Sequence, residues 1–159
     1  MHYYDYYQSP RGRMLLIADD TGLTGVYFTG QKYQPRIEEG WVRDARQGLL
    51  GQAKRELAEY FDGTRTHFTV KIAPRGTPFQ RAVWKAITGV AFGRTIPYAE
   101  LARRAGRPGS ARAAGAATSR NPISIIVPCH RIVGSNGALT GYAGGLAKKR
   151  ALLALEEHA

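Results

Sequence analysis

The sequence is poor in cysteine, with a single one, Cys129, among 159 residues. One cysteine excludes an internal disulfide bond and any zinc site built from several cysteines. The apolar runs are too short to cross a bilayer, and residues 1–5 lack the basic start and apolar middle of a signal peptide. The glycine-rich loop 140–145 lacks the spacing of a phosphate-binding loop. These absences predict a cytoplasmic, globular protein with no membrane partner, no metal and no cofactor.

Acidic residues are scarce in the second half of the chain. Residues 76–159 contain 3 Asp or Glu against 12 Lys or Arg, whereas residues 1–75 contain 9 against 11. The net charge of +11 is therefore concentrated in one half. Such a basic half indicates a surface for a polyanion such as nucleic acid, although general solubility explains the charge equally well. Among its basic residues, Arg120, Lys148 and Lys149 could contribute general attraction to phosphate groups.

The first 74 residues have the pattern of a small α/β unit. Apolar residues at helical spacing run from 49 to 61. Strand-like stretches with short connections predict an antiparallel meander and one further strand, at 3–7, 14–18, 23–29 and 67–72. This unit contains no group of residues that suggests chemistry. Pro74-Arg75-Gly76 is expected to link it to a second domain, over residues 75–159.

The second domain begins with helix signals. Residues 77–80, Thr-Pro-Phe-Gln, match a capping box with proline at the first helical position. A second helix is predicted over 98–105 and a third after Ser110, which is expected to be its cap. Two helices joined by a short glycine-containing turn are typical of a helix-turn-helix. The third helix is almost bare of side-chain bulk, so Arg112 stands out as its long side chain near the N-terminus.

The lone cysteine follows a stretch rich in β-branched residues, Ile123–Val127, which predicts a short buried strand. Pro128 should end regular pairing, so that Cys129 lies where the strand stops. His130 and Arg131 come next and could both favour the thiolate, which is the nucleophilic form of cysteine. In an extended segment neighbouring side chains point to opposite faces, so direct contact between Cys129 and His130 is not expected.

One carboxylate is expected to lie near the cysteine. Glu156 falls beside the apolar stripe of the last helix, predicted over 147–157, and a carboxylate on the core side needs a partner. His130 is the natural candidate. From these residues alone several readings remain open: an inert buried cysteine, a helix-turn-helix regulator with a redox-sensing cysteine, and a hydrolase with a Cys–His pair.

The motifs taken together resemble the guanine-O6 DNA alkyltransferases, also called methylated-DNA–protein-cysteine methyltransferases. The order and spacing match in the Pro-Cys-His-Arg block, the upstream Asn-Pro, the Tyr and Arg of the helix-turn-helix, the Gly-Tyr-x-Gly-Gly loop and the Leu-Leu-x-x-Glu ending. The resemblance implies an α+β fold: a small N-terminal ribonuclease-H-like α/β domain, followed by a mainly helical winged helix-turn-helix domain. It also implies double-stranded DNA containing O6-alkylguanine as the partner.

The resemblance implies a reaction as well: direct, stoichiometric and irreversible transfer of an alkyl group from O6 of guanine, and possibly O4 of thymine, to the protein's own cysteine. Cys129 is the nucleophile and His130 its base through a water. Glu156 orients His130, and Tyr98 donates a proton toward guanine N3. Because a thioether has no easy route to hydrolysis, each molecule acts once.

The remaining roles also come from the resemblance. Arg112 fills the space left by a guanine flipped out of the duplex. The other residues expected at the DNA are Ser110, Ala111, Ala113, Ala114 and Arg120. Those expected to line or brace the substrate pocket are Asn121, Pro128, Ile132, Tyr142 and Ala143. The carbonyls of Cys129 and Ile132 read the guanine amine, and Ala143 stands where some relatives have serine.

Overall fold

A computed structural model gives the fold of residues 1–158, so Ala159, the last residue of the predicted second domain, lies outside the described residues. The first domain contains four strands, β1 Tyr3–Ser9, β2 Gly12–Ala18, β3 Leu23–Phe28 and β4 Val42–Arg43. They form one sheet in the order β3-β2-β1-β4. The first three strands pair antiparallel, as their short connections predict, and β4 adds parallel to β1.

The central strand β2 is covered on both faces. Met14 and Leu16 belong to the main core, whereas Leu15 and Ile17 pack with Tyr27 on the opposite face. Helix α1, Gly48–Phe61, packs against β1 and β2 and agrees with the predicted helix. The main core continues from this sheet into the second domain without interruption.

The strand predicted over 67–72 is wrong. Ile72 alone makes a bridge, parallel to Leu23. The reason lies in α1, where the Glu56 carboxylate accepts from the backbone N–H groups of Thr69 at 2.8 Å and Val70 at 3.2 Å. Backbone donors taken by a buried side chain cannot join a ladder.

The second domain is mainly helical. Its helices are α2 Pro78–Thr88, α3 Tyr98–Arg104, α4 Ala111–Ser119 and α5 Leu146–Glu157. Two short strands, β5 Ile96–Pro97 and β6 Ile132–Val133, pair in parallel beside them. No helix within residues 1–158 has both the length and the apolar character needed to cross a membrane.

The helix-turn-helix consists of α3, α4 and the turn between them. The capping box before α2 is confirmed, since Thr77 and Gln80 each accept the other's backbone N–H. Ser110 occupies the predicted N-cap of α4, but its side chain makes no capping hydrogen bond. Gly106 and Gly109 have φ angles of +88° and +84°, which explains why the turn needs glycine at both places.

The strand predicted over Ile123–Val127 is also wrong. Ile123 makes an isolated bridge to Val26, and the chain then folds into a tight loop. Ile125 has a φ of +70°, which is rare for a β-branched residue, and Val127 N–H donates to Ile123 O at 3.0 Å. The apolar run is buried as predicted, but as a loop in the core.

The contact between α2 and α4 gives a first prediction. Trp84 Nε1 donates to the Ala117 carbonyl at 2.8 Å, and the side chain is buried. Trp84→Phe leaves that carbonyl without its donor, so the free energy of unfolding should fall by about 1–3 kcal/mol in urea titrations. Trp41→Phe is the control, because Trp41 is partly exposed and stacks on His2. Equal losses in the two variants would contradict this account.

Candidate active site and DNA-binding surface

Asn121 braces the loop that leads to the cysteine. It is buried, and its Nδ2 donates to the carbonyls of Ile123 at 3.2 Å and Val127 at 2.9 Å. Its Oδ1 accepts from the Ile123 N–H at 3.0 Å. One side chain thus supplies part of the hydrogen bonding that strand pairing would otherwise provide. Replacing it would free the loop on which Cys129 depends.

Cys129 begins a 3₁₀ turn, Cys129–Arg131, directly after Pro128. It is 6% exposed. Burial raises the pKa of its thiol to about 11, against the opposing effects of the Asn121 amide and the Lys149 ammonium. The neighbouring His130 and Arg131 therefore do not hold the resting cysteine as a thiolate. Burial outweighs the charge of Lys149, and with a pKa of about 11 the resting thiol is protonated at neutral pH.

His130 lies in the same 3₁₀ turn, so the strict alternation expected of an extended segment does not apply. Its ring is fully buried, and Nε2 lies 2.6 Å from Oε2 of Glu156. Burial lowers the pKa of His130, although Glu156 opposes this. Nδ1 is buried and has no hydrogen-bond partner within residues 1–158. With Nε2 held by a carboxylate, Nδ1 is the nitrogen left to accept a proton.

The Glu156 carboxylate accepts hydrogen bonds from several separate parts of the chain. Arg131 donates from Nε to Oε1 at 2.8 Å and from Nη2 to Oε2 at 3.0 Å. Tyr60 Oη donates to Oε2 at 2.6 Å, and Gly93 N–H lies 3.3 Å from Oε1. Burial alone would raise the pKa of Glu156, but hydrogen bonds from His130, Arg131 and Tyr60 lower it to about 2. Glu156 therefore stays ionised in the core.

Tyr60 shows that the first domain contributes to the site, so the expectation that it contains no chemistry is wrong. Tyr60 comes from α1 and is fully buried. In the sequence it occupies an ordinary core position of an amphipathic helix. Periodicity identifies a buried tyrosine but not the partner of its hydroxyl, so sequence reasoning missed it.

A narrow cavity of about 50 Å³ opens on the cysteine. Its lining consists of Tyr98, Gly115, Thr118, Ser119, Cys129, Gly141, Tyr142 and Ala143. Tyr98 Oη donates to the Thr140 carbonyl at 3.3 Å, which ties α3 to the glycine-rich loop. An engineered protein cavity of about 150 Å³ holds benzene, so this cavity is too small for a purine base in its present form. The structure thus brings Tyr98, Tyr142 and Ala143 to the cysteine in a closed arrangement.

The glycine-rich loop is packed against the first domain. A Cβ on Gly144 would lie 2.9 Å from the Tyr142 ring and 3.1 Å from the Phe28 ring, so no side chain fits there. The Ala143 carbonyl accepts from the Lys32 N–H at 3.3 Å. The Tyr142 hydroxyl is buried without a hydrogen-bond partner among residues 1–158. The loop that covers the cavity is therefore held by both domains.

Lys149 lies inside the protein, and its expected role in general phosphate attraction is wrong. It is fully buried on α5, and Nζ donates to the carbonyls of Ile132 at 2.6 Å, Thr140 at 2.7 Å and Gly141 at 3.2 Å. Burial lowers its pKa, which the nearby Cys129 opposes. The Ile132 carbonyl expected to read a guanine amine thus already accepts one hydrogen bond and keeps a second lone pair.

Helix α4 divides the residues expected at the DNA between two faces. Arg112, Ala113 and Arg120 are exposed, while Ser110 and Ala111 are partly so. Ala114 is fully buried in the core, so the expectation that its side chain meets DNA is wrong. Its position follows from helical geometry, because the face opposite Arg112 packs on the neighbouring helices. The Arg120 guanidinium stacks 3.8 Å from the centre of the Tyr33 ring.

These features define a class of protein. A helix-turn-helix with a basic surface lies next to one buried thiol, and a histidine, a carboxylate and a tyrosine lie near that thiol. No cluster of three or more His, Cys, Asp or Glu side chains suited to a metal ion occurs in residues 1–158.

Comparisons with known proteins identify the family. The ribonuclease-like domain of 6-O-methylguanine DNA methyltransferase matches residues 2–74, and the DNA binding domain of the same family matches 78–158. A methylated-DNA–protein-cysteine methyltransferase of Methanosarcina acetivorans is 46% identical over 97% of both chains. The structure of Mycobacterium tuberculosis O6-methylguanine methyltransferase superposes with a TM-score of 0.89 at 44% identity, over 99% of this chain and 94% of that one.

A second structure, of Mycobacterium tuberculosis OGT in complex with DNA, gives a TM-score of 0.90 at 42% identity, over 98% of this chain and 93% of that one. The chain belongs to the methylated-DNA–protein-cysteine methyltransferase family. The two-domain architecture implied by the sequence motifs is confirmed.

The buried lysine gives the second prediction. Lys149→Met keeps the length of the side chain but removes every donor to the three carbonyls, so the free energy of unfolding should fall by about 1–3 kcal/mol or more. The salt dependence of DNA binding should not change, because a buried ammonium contacts no phosphate. Arg150→Met is the control, since Arg150 is exposed on the same helix. Normal stability with a shallower salt slope in Lys149→Met would restore the phosphate role.

Proposed function

We propose that this protein repairs DNA by transferring an alkyl group from O6 of guanine to Sγ of Cys129, once per molecule and irreversibly. The observation that carries the proposal is the single cysteine of the chain at a cavity shared with Tyr98 and Tyr142, directly behind the exposed face of α4. A saturated carbon requires in-line attack by a strong, soft nucleophile, and thiolate is the best one that proteins offer.

Formation of the thiolate is the first requirement, because the resting thiol is protonated. We assign the proton to His130 Nδ1, by way of a bridging water, since that nitrogen is buried and free of other partners. Glu156 holds Nε2 and balances the positive charge that His130 gains. The geometry supports general-base assistance of the kind that activates other protein nucleophiles.

The leaving group needs help as well. As the bond between Sγ and the alkyl carbon forms, the bond between that carbon and O6 breaks. Its electron pair passes through O6 into the guanine ring. Tyr98 lines the cavity with Cys129, and its hydroxyl is the donor we assign to guanine N3. The thiol's proton goes to His130 and the guanine is protonated by Tyr98. The proton held by His130 then returns to the deprotonated Tyr98 by way of solvent, which leaves neutral guanine, a neutral thioether and both side chains in their starting states.

Substrate entry requires the glycine-rich loop to open. The cavity of about 50 Å³ does not accommodate a base. The hydrogen bond between Tyr98 and the Thr140 carbonyl is long, at 3.3 Å, and is the contact most easily exchanged for one with the guanine. Ala143 offers no hydroxyl to the base oxygen, which leaves backbone N–H groups of the loop for that contact.

DNA binding is assigned to the exposed face of α4. The helix presents little beyond Arg112 and small residues, so it can approach a groove closely. We assign Arg112 to the space left by the flipped guanine, and Arg120, oriented by the Tyr33 ring, to a phosphate. We further propose a cytoplasmic location, in keeping with DNA as substrate and a cysteine that must stay reduced.

The alternative of a regulator with a redox-sensing cysteine is not favoured. Such a sensor needs an accessible thiolate of low pKa, whereas Cys129 is buried with its pKa raised to about 11. It also gives no role to Tyr98 or to Glu156. Family membership points the same way.

Replacement of the nucleophile is the direct test. After mixing with a duplex that contains O6-methylguanine, the wild-type protein should gain the mass of one CH₂ group, located on Cys129 by peptide mapping. Cys129→Ser should bind the same duplex and gain nothing, because a hydroxyl is not ionised or nucleophilic enough. Methyl transfer by the serine variant, or modification of another residue, would refute the assignment.

The role of Arg112 can be separated from simple charge. Arg112→Ala should slow repair of a duplex much more than reaction with a free O6-alkylated guanine, since flipping costs a few kcal/mol only in the duplex. Arg120→Ala should instead weaken duplex binding and reduce the salt slope by about one. Arg55, exposed on α1, provides the control. If Arg112→Ala slowed both reactions equally, the insertion role would be wrong.

A further inference from the structure

The first domain reaches the active-site carboxylate through one side chain. Tyr60 lies on α1 with no exposed surface, and its ring contacts the rings of Phe61, Phe68 and Phe92. Phe92 belongs to the second domain, so the aromatic group spans both domains. This packing fixes where the Tyr60 hydroxyl points, which is toward Oε2 of Glu156 at 2.6 Å.

The oxygen that Tyr60 contacts is the one that holds His130. Oε2 of Glu156 lies 2.6 Å from His130 Nε2 and accepts from Tyr60 Oη and, at 3.0 Å, from Arg131 Nη2. His130, Tyr60 and Arg131 thus all interact with the negative charge of this one oxygen. A donor that draws negative charge from this oxygen weakens its attraction for a protonated imidazole.

We infer that Tyr60 is a positioning residue for the alkyl transfer: its hydroxyl fixes Glu156 and limits the basicity that this carboxylate confers on His130, so that the imidazole stays neutral and ready to accept the proton of Cys129. The inference rests on the proposed function for its catalytic meaning. A base can take up a proton only while it is neutral, and His130 directly contacts a full negative charge that favours the protonated form.

Several other charged or titratable groups lie around the pair of His130 and Glu156. Arg131, from the same 3₁₀ turn, donates to both oxygens of Glu156. Lys149, from α5, lowers the pKa of His130 through its positive charge. Cys129 and Tyr142 are neutral at rest, since burial raises the pKa of each. Tyr60 is neutral too, because burial raises its pKa and Glu156 adds to the effect. Among residues 1–74, Tyr60 is the residue that hydrogen-bonds to the pair.

The test is a titration of His130 in the intact protein. In Tyr60→Phe the ring packing remains and only the hydroxyl is lost, so more charge stays on Oε2 and the pKa of His130 should rise by about half a unit to one unit. Imidazole ¹⁵N chemical shifts report this without DNA, and a His130→Gln sample assigns the signal among the four histidines. Tyr27→Phe is the control: Tyr27 is also buried, on β3, away from Glu156.

Two further measurements test whether the effect of Tyr60 passes through Glu156 and whether it changes the rate of methyl transfer. In a Glu156→Gln background Tyr60→Phe should no longer shift the titration, since the effect passes through the carboxylate. Methyl transfer by Tyr60→Phe should be about three- to tenfold slower on the low-pH side of the profile and recover as the pH rises, because more His130 is already protonated there. Tyr27→Phe should follow the wild-type profile.

The outcomes separate this inference from the proposed function. An unchanged or lowered pKa of His130 in Tyr60→Phe, or a shift of the same size in Tyr27→Phe or in the Glu156→Gln background, overturns the role of Tyr60. A drop in melting temperature with an unmoved titration means that Tyr60 is structural only. If the wild type transfers no methyl group while the titration still shifts, the proposed function fails and the electrostatic role of Tyr60 stands.

Discussion

The ionised carboxylate of Glu156 in the core is the constraint on which the rest of the site depends. A buried negative charge is stable only when its oxygens are saturated with donors, and here they come from the 3₁₀ turn, from α1 and from a loop N–H. Those donors fix where His130 and Arg131 point, and they bind the first domain to the second. The active site and the domain interface are therefore one hydrogen-bonded unit.

The path of the chain before Cys129 follows a second requirement, that every buried backbone group be paired. The segment Ile123–Val127 pairs with β3 at its start, opposite Val26, and then leaves it. Asn121 bonds the Ile123 N–H and the carbonyls of Ile123 and Val127 from one side chain. The tight loop places Ile125 at a positive φ, which strains the backbone of this β-branched residue. Because these hydrogen bonds hold the loop in one conformation, the thiol lies at a fixed position between α4 and α5.

Sequence reasoning reached the elements whose signals are local. The capping box at Thr77, the meander of the first three strands and the helices follow from residue spacing and turn chemistry, and family motifs supplied the two-domain architecture. It failed where a side chain bonds the backbone in place of a neighbouring strand. Glu56 accepts from N–H groups of the expected strand at 67–72, and Asn121 bonds the Ile123 N–H and the carbonyls of Ile123 and Val127. Hydrophobicity predicts burial at both places but not which group satisfies the backbone.

Long-range contacts set the remaining limit on prediction. Charge counting treats Lys149 as a phosphate ligand, yet the residue lies inside the protein and ties Ile132 to the glycine-rich loop. The reactive cysteine is likewise governed by its surroundings rather than by its sequence neighbours. Burial keeps the resting thiol protonated, and the thiolate rather than the thiol is the nucleophilic form, which matters for a molecule that can act only once. In the mechanism proposed above, reactivity is generated in the complex with DNA, when the loop opens to admit a base and His130 receives the proton of the thiol. On this mechanism, the burial that keeps the resting thiol protonated also confines its reaction to a base held in the site.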